Sequence, residues 1–265
     1  MTDWNRVTKD HPCPICHKPD WCGYTVDTVH CMRISSDHPV RGGGGWIHRL
    51  SNPIPAYHRP PPRDEMLRPC FKSIWKEWRL KLDTSLLAQY AQALHVSDEA
   101  LYDLGAAWAW QHKAWAFPMR DGAGKIVGIR LRDNAGHKWA VKGSRQGLFL
   151  TRNWPSMPEG ALILEGPTDT AAALSIGFLA IGRPSCVGCE DIVSTTIKRL
   201  AIRRVIIVAD NDDPGKAGAQ RLALTLQVPH KIIVPPCKDM REWVGKGATQ
   251  ALVLCVANQQ LWRIN

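Results

Sequence analysis

The second half of this 265-residue chain is expected to be an α/β domain, a parallel sheet flanked by helices, preceded by a mixed helical and antiparallel-strand region and a small cysteine-rich module. Three observations predict this. After Glu159-Gly160, short apolar runs alternate with helical stretches, the signature of buried strands covered on both faces. Between 64 and 158 the apolar spacing changes from three-and-four to alternation. The first 51 residues are rich in Cys, His and Gly and poor in apolar runs, so a fold there needs a metal in place of a core. The segments are therefore 1–51, 52–63, 64–158 and 159–265.

Each element follows from its local chemistry. Five prolines in NPIPAYHRPPPR (52–63) forbid a regular helix or central strand and favour an extended connector. From Asp64 to about Trp110 the pattern is helical: LDTSLLAQYAQALH repeats apolar residues at helical spacing, and Ser97-Asp98-Glu99-Ala100 is a capped start, giving two or three short helices. Between Trp115 and Leu150 the alternation predicts antiparallel strands joined at Asp121-Gly122. Asp121-Gly122-Ala123-Gly124-Lys125 reads as that hairpin turn and not as a phosphate loop, because no strand-to-helix transition or GK[ST] ending accompanies it. ALILEG, FLAIGRPS, VIIVAD and KIIVPP are then the strands of the parallel sheet, with functional groups expected at their carboxyl ends.

Composition narrows the class of partner. The 34 Lys and Arg against 24 Asp and Glu leave a formal charge of +10, spread over several segments, which favours a polyanion. No stretch approaches the ~20 apolar residues that span a bilayer, and MTDWNRVTKD lacks the apolar core of a signal peptide, so a cytoplasmic protein with no membrane partner is expected. In that reducing compartment the nine cysteines read first as metal ligands.

Cys13-Pro-Ile-Cys16 is a tight CxxC turn that presents both sulfurs to one side, and Cys22 and Cys31 follow closely. No helix follows as a redox motif would require, so a structural tetrahedral zinc is expected. Cys31 lacks a cysteine at i+3, where Ile34 stands, so the fourth ligand is open: Cys22 is preferred, with His48, His30 and His38 as alternatives. The run Gly42 to Gly45 is a loop without a P-loop ending. A second CxxC, Cys186-Val-Gly-Cys189, has no other cysteines near it in sequence and reads as loop packing.

The run ALILEGPTD ends in Glu165, with Asp169 one helical turn on, and VIIVADNDDPG ends in Asp210 and Asp212. Acids from separate strands thus meet at one sheet edge. Any one of them is an ordinary capping acid. Four in the arrangement E-G-x-x-D plus D-x-D repel one another unless hard cations such as Mg²⁺ or Mn²⁺ neutralise them.

Glu165-Gly166-Pro167-Thr168-Asp169 and Asp210-Asn211-Asp212, with Gly215 after them, resemble the two signature motifs of the Toprim domain, over roughly 160 to 245. That domain is shared by bacterial primases, topoisomerases, some nucleases and recombination mediators. Phe117-Pro118-Met119-Arg120-Asp121, Gly128, Arg130, Arg132, Lys138 and Gly143-Ser144 resemble the strand region preceding Toprim in bacterial (DnaG-like) primases. The head, with CPIC, Trp21-Cys22, Cys31 and Gly44-Gly45-Trp46-Ile47-His48, is similar to the primase zinc ribbon in a form common in stand-alone mobile-element and phage primases.

The resemblance implies template-directed synthesis of short RNA primers on single-stranded DNA from NTPs. Glu165, Asp210 and Asp212 would hold magnesium, with Asp169 joining them in catalysis. Arg130, Arg132, Lys138, Lys142 and Lys238 would face the triphosphate or template. The zinc head would bind template, with Trp21 and Trp46 as stacking candidates, and a replicative helicase would be a further partner. The same acids would serve a Toprim nuclease, and the same domain pairing a non-catalytic recombination mediator that only binds DNA.

Overall fold

Three sheets organise the computed structural model, which describes residues 4–40, 44–51, 69–151 and 154–265. The proline-rich segment 52–63 and Gly42-Gly43 lie outside the described residues. The chain divides into two compact units, Met1–Leu67 and Arg68–Asn265. Among the described residues no helix is long and apolar enough to cross a membrane.

The first unit is an antiparallel sheet in the order β1 (Asn5–Arg6), β2 (Gly23–Tyr24), β3 (Thr28–Cys31) and β4 (Trp46–Arg49). A tight turn links β2 to β3: the Thr25 amide donates to the Thr28 carbonyl at 2.8 Å, and Asp27 accepts from the Thr25 and Thr28 hydroxyls. Among the described residues its buried core is Val7, Tyr24, Val29 and three cysteines, Cys13, Cys22 and Cys31. So small a core leaves the fold dependent on what the cysteines hold.

The second unit begins with three helices, α1 (Phe71–Leu80), α2 (Thr84–Leu94) and α3 (Asp98–Asp103). Ser97 caps α3 with its hydroxyl, as the sequence predicts, and Asp83 caps α2. The helical stretch ends earlier than the expected Trp110. Ala107–Ala109 is instead strand β5, because buried Ala107 and Ala109 pair with Ala116 and Ala114. β5, β6 (Ala114–Arg120), β7 (Ile126–Arg132) and β8 (Lys138–Ala140) form the antiparallel sheet in sequence order. The β6–β7 turn is closed by Asp121 Oδ1, which accepts from the Ala123 and Lys125 amides, with Gly124 at φ +86°.

The third sheet runs β13 (His230–Ile233), β12 (Arg204–Val208), β10 (Gly160–Glu165), β11 (Ala180–Arg183), β9 (Phe149–Leu150). Its four later strands are parallel, and β9 adds an antiparallel edge. Alternate side chains enter two cores. Ile163, Ile181, Val205 and Ile207 meet α5 (Glu190–Arg199) and α6 (Asp213–Ala223). Leu162, Leu164, Ile206 and Val208 meet α4 (Pro167–Ser175), α7 (Met240–Gly245) and α8 (Gln250–Asn258). The helices after β10 and β12 therefore leave toward opposite faces, which opens a crevice between these adjacent strands at their carboxyl ends.

Candidate active site and metal centre

In the first unit, the sulfurs of Cys13, Cys16, Cys22 and Cys31 all lie within 4.8 Å of one another, Cys16 and Cys22 at 3.7 Å. The CPIC turn is closed by the His17 amide on the Cys13 carbonyl at 2.8 Å. The other two ligands come from the hairpin: Gly23 pairs with His30, so Cys22 and Cys31 stand side by side across β2 and β3. The Met32 amide points at Cys22 Sγ at 3.4 Å and the Ile34 amide at Cys31 Sγ at 3.3 Å, so Ile34 serves the site with its backbone where a second CxxC would place a ligand.

The histidine alternatives are turned elsewhere. His48 Nε2 contacts the Ile34 carbonyl at 3.0 Å, His30 Nε2 contacts the Gly44 carbonyl, and His38 is exposed. Burial pushes the Cys13 thiol up to about 12. Burial also presses on Cys16, yet the Lys18 amide and the neighbouring thiols bring it down to about 7. Four sulfurs in one small volume, served by backbone amides, are the donor set of structural zinc.

In the second unit, three neighbouring strands each deliver acids to the crevice. Glu165 ends β10. Gly166 then takes φ +79°, turning the chain into α4, whose first turn holds Asp169, only 8% exposed. Asp210 follows β12, and Asp212 caps α6 by accepting from the Gly215 amide at 2.7 Å. A side chain at Gly215 would meet the Asp210 carbonyl at 2.7 Å, so glycine is required there. Beyond β13, Asp239 caps α7 through the Glu242 amide at 2.7 Å. The Asn211 amide on the Lys238 carbonyl, at 2.8 Å, ties the last two strand ends together.

These acids act on one another. Burial raises Asp210 to about 7, and Asp169, Glu165, Asp239 and Asp212 all push the same way. Asp169 rises to about 7 through burial and Asp239, against the pull of the Arg241 amide, the Arg241 charge and Lys138. Glu165 is raised by burial and by Asp212, and held back by Arg183 and Lys138. Among the described residues the one group of three or more side chains close enough to hold a metal ion as they stand is the four cysteines. Carboxylate oxygens are donors of the kind Mg²⁺ takes, one or two directly with waters in its remaining positions.

Of the basic residues singled out in the sequence, Lys138 reaches the acids electrostatically. Arg130 is half-buried, with Nη2 on the Pro184 carbonyl at 3.3 Å beyond β11. Arg132 stands instead by Tyr90 and α2, lining a pocket with Leu86 and Trp115. Lys142 and Lys238 are exposed, and the Lys238 amide donates to Glu242. In the head, Trp21 is 79% exposed at φ +65° and Trp46 is half-buried on β4. Cys189 is buried at the start of α5, in keeping with a packing role.

Three residues at the edge were not placed there from the sequence: Asp239, Arg241 and Arg183. Asp239 had a usable signal, since it follows an apolar strand as Glu165 and Asp210 do, with Glu242 at capping-box spacing. Arg183 is a lone charge at the end of the run FLAIGR.

No family model matches the chain, and no curated protein matches it. Solved structures do. A DnaG catalytic core superposes with a TM-score of 0.57 at 17% identity, over 73% of this chain and 79% of the other. A DnaG primase catalytic domain bound to ssDNA gives 0.54 at 16%, over 72% and 80%. The Aquifex aeolicus primase, comprising zinc-binding and RNA polymerase domains, gives 0.58 at 13%, over 73% and 60%. The chain therefore has the fold of DnaG-type primase cores, together with a four-cysteine cluster in its N-terminal unit.

Proposed function

We propose that this protein is a DNA primase, joining ribonucleotides into short primers on a single-stranded DNA template. The observation that carries the reading is the set of five acids at adjoining strand ends, Glu165, Asp169, Asp210, Asp212 and Asp239, with Lys138 in electrostatic reach. Residues 159–265 act as a Toprim domain, 64–158 as the primase strand and helix region, and 1–51 as a zinc ribbon. One similar fold is that of a DnaG catalytic domain bound to ssDNA, which supports the choice of template.

Glu165, Asp210 and Asp212 would hold Mg²⁺ or Mn²⁺, with Asp169 and Asp239 completing the acidic surround. Bound there, the metal would supply charge neutralisation for the triphosphate. The protein's own residues do the rest. The Arg241 amide fixes Asp169, the Gly215 amide fixes Asp212 and the Glu242 amide fixes Asp239, so the carboxylates are oriented before substrate arrives. Lys138 and Arg130 contribute positive charge toward the phosphates, and Arg132, Lys142 and Lys238 toward the template. The head engages unstacked bases through exposed Trp21.

The test is incubation of the protein with mixed-sequence ssDNA, labelled NTPs and Mg²⁺. New oligoribonucleotides are expected from the wild type and none from Asp210→Asn. Shortened DNA would indicate a nuclease, and DNA binding without either product a recombination mediator. Primer yield from Asp210→Asn equal to wild type would overturn the catalytic assignment.

A further inference from the structure

Arg183 is the last residue of β11 and lies in register beside Glu165 on the adjacent strand, with the Gly166 amide donating to its carbonyl at 2.7 Å. Its side chain is only 4% exposed, and both Nε and Nη1 are buried without a hydrogen-bond partner. Glu165 and Glu190 are within electrostatic reach, as are Cys186 and Cys189, but none accepts from it. Glu190 is occupied by the Gly188 amide at 3.2 Å. An unpaired guanidinium in so dry a place is costly, and such a cost persists where a ligand relieves it.

What surrounds Arg183 favours an anion. The loop that follows it, Pro184 to Cys189, carries on its Pro184 carbonyl a second, half-buried guanidinium, that of Arg130. The loop ends in α5, whose N-cap Cys189 gives the helix no side-chain cap. The opposite side is packed close, since a side chain at Gly218 would meet the Cys186 carbonyl at 2.4 Å. Arg183 is left beside Glu165, one strand over from the crevice between β10 and β12.

We propose that Arg183 is a phosphate-binding residue, whose buried donors pair with the polyphosphate of a nucleoside triphosphate seated beside Glu165, the Pro184–Cys189 loop shifting to admit it. The planar guanidinium matches phosphate oxygens in a way an ammonium does not. The inference deepens the primase reading and rests on it for the identity of the substrate. A phosphate of the nucleic-acid backbone has the same chemistry, so the test separates the two.

The experiment compares wild type, Arg183→Lys and Arg183→Met in primer synthesis under NTP titration, with ssDNA affinity measured by fluorescence anisotropy and folding by thermal melting. For Arg183→Met the KM for NTP is expected to rise roughly tenfold or more, with ssDNA Kd unchanged. Its thermal midpoint should be equal to or higher than wild type, since an unpaired buried charge is removed. Arg183→Lys should fall between. An unchanged KM in a folded Arg183→Met overturns the proposal, and so does weakened ssDNA binding with KM unchanged, which would assign the residue to template. Unfolding of Arg183→Met while Arg183→Lys folds with wild-type KM assigns it a structural role, as does unfolding of both variants. Should the wild type make no primers, titration with Mg²⁺ and inorganic tripolyphosphate still decides: roughly tenfold weaker binding by Arg183→Met upholds the phosphate site while the primase reading fails. Equal binding overturns both.

Discussion

Asp169 Oδ1 accepts the Arg241 main-chain N–H at 2.9 Å, joining the first turn of α4 to the start of α7 across 72 residues of sequence. The bond fixes an acid that burial and Asp239 would otherwise drive toward its neutral form. Asp169→Ala removes the acceptor and leaves a half-buried amide unpaired, an expected loss of about 1–3 kcal/mol in unfolding free energy. Asp169→Asn keeps an oxygen for the amide and should cost less. Urea unfolding of the two variants checks this. Equal destabilisation would show that the bond to Arg241 contributes nothing.

The raised pKa of Asp210 gives a signed dependence on pH. Its folded value of about 7 lies above the ordinary 3.8, so the folded protein binds the extra proton. The stability this group contributes is fully present below the unfolded value and lost as pH rises through about 7. Asp210→Asn is neutral throughout. Without divalent metal, the variant's thermal midpoint should gain on wild type between about pH 4 and about pH 7. Added Mg²⁺ should narrow the gap at the upper pH. A midpoint difference that stays flat with pH would contradict the account.

How much of this site was legible in the sequence depends on how local each signal is. Glu165, Asp169, Asp210 and Asp212 each lie within a few residues of an apolar run that becomes a strand, so periodicity alone predicts their common edge. β5 was missed because AAWAW is short and follows a helix, and only its pairing with β6 fixes it as a strand. Cys22 and Cys31 become neighbours through the β2–β3 register, which spacing along the chain does not reveal. Arg183 could not be placed at all from sequence, because its proximity to Glu165 exists only once β10 and β11 pair.

Gly215 tests whether the acids are held by backbone geometry. A methyl group there would lie 2.7 Å from the Asp210 carbonyl oxygen and 2.9 Å from Asp212 Oδ1. Gly215→Ala must therefore push both acids or tilt the start of α6, at an expected cost of about 1–3 kcal/mol. Primer synthesis should fall roughly tenfold or more, since small displacements of catalytic groups are costly. Thermal melting and the ssDNA assay measure the two effects separately. A variant with wild-type melting and synthesis would show that the close approach is relaxed in solution.

Removing zinc should unfold the first unit, because its core of Val7, Tyr24 and Val29 is too small to persist once the four sulfurs lose their shared cation. Binding requires thiolates, and Cys13, pushed up to about 12 by burial when no cation is present, must give up its proton. Zinc affinity should therefore weaken as pH falls. Chelator titration followed by a colorimetric zinc indicator, with circular dichroism alongside, reads release and unfolding together. Cys22→Ala and Cys31→Ala should each abolish tight binding. His48→Ala should retain one zinc per chain, since its Nε2 faces the Ile34 carbonyl. Loss of zinc from His48→Ala with retention by Cys22→Ala would reassign the fourth ligand to the histidine.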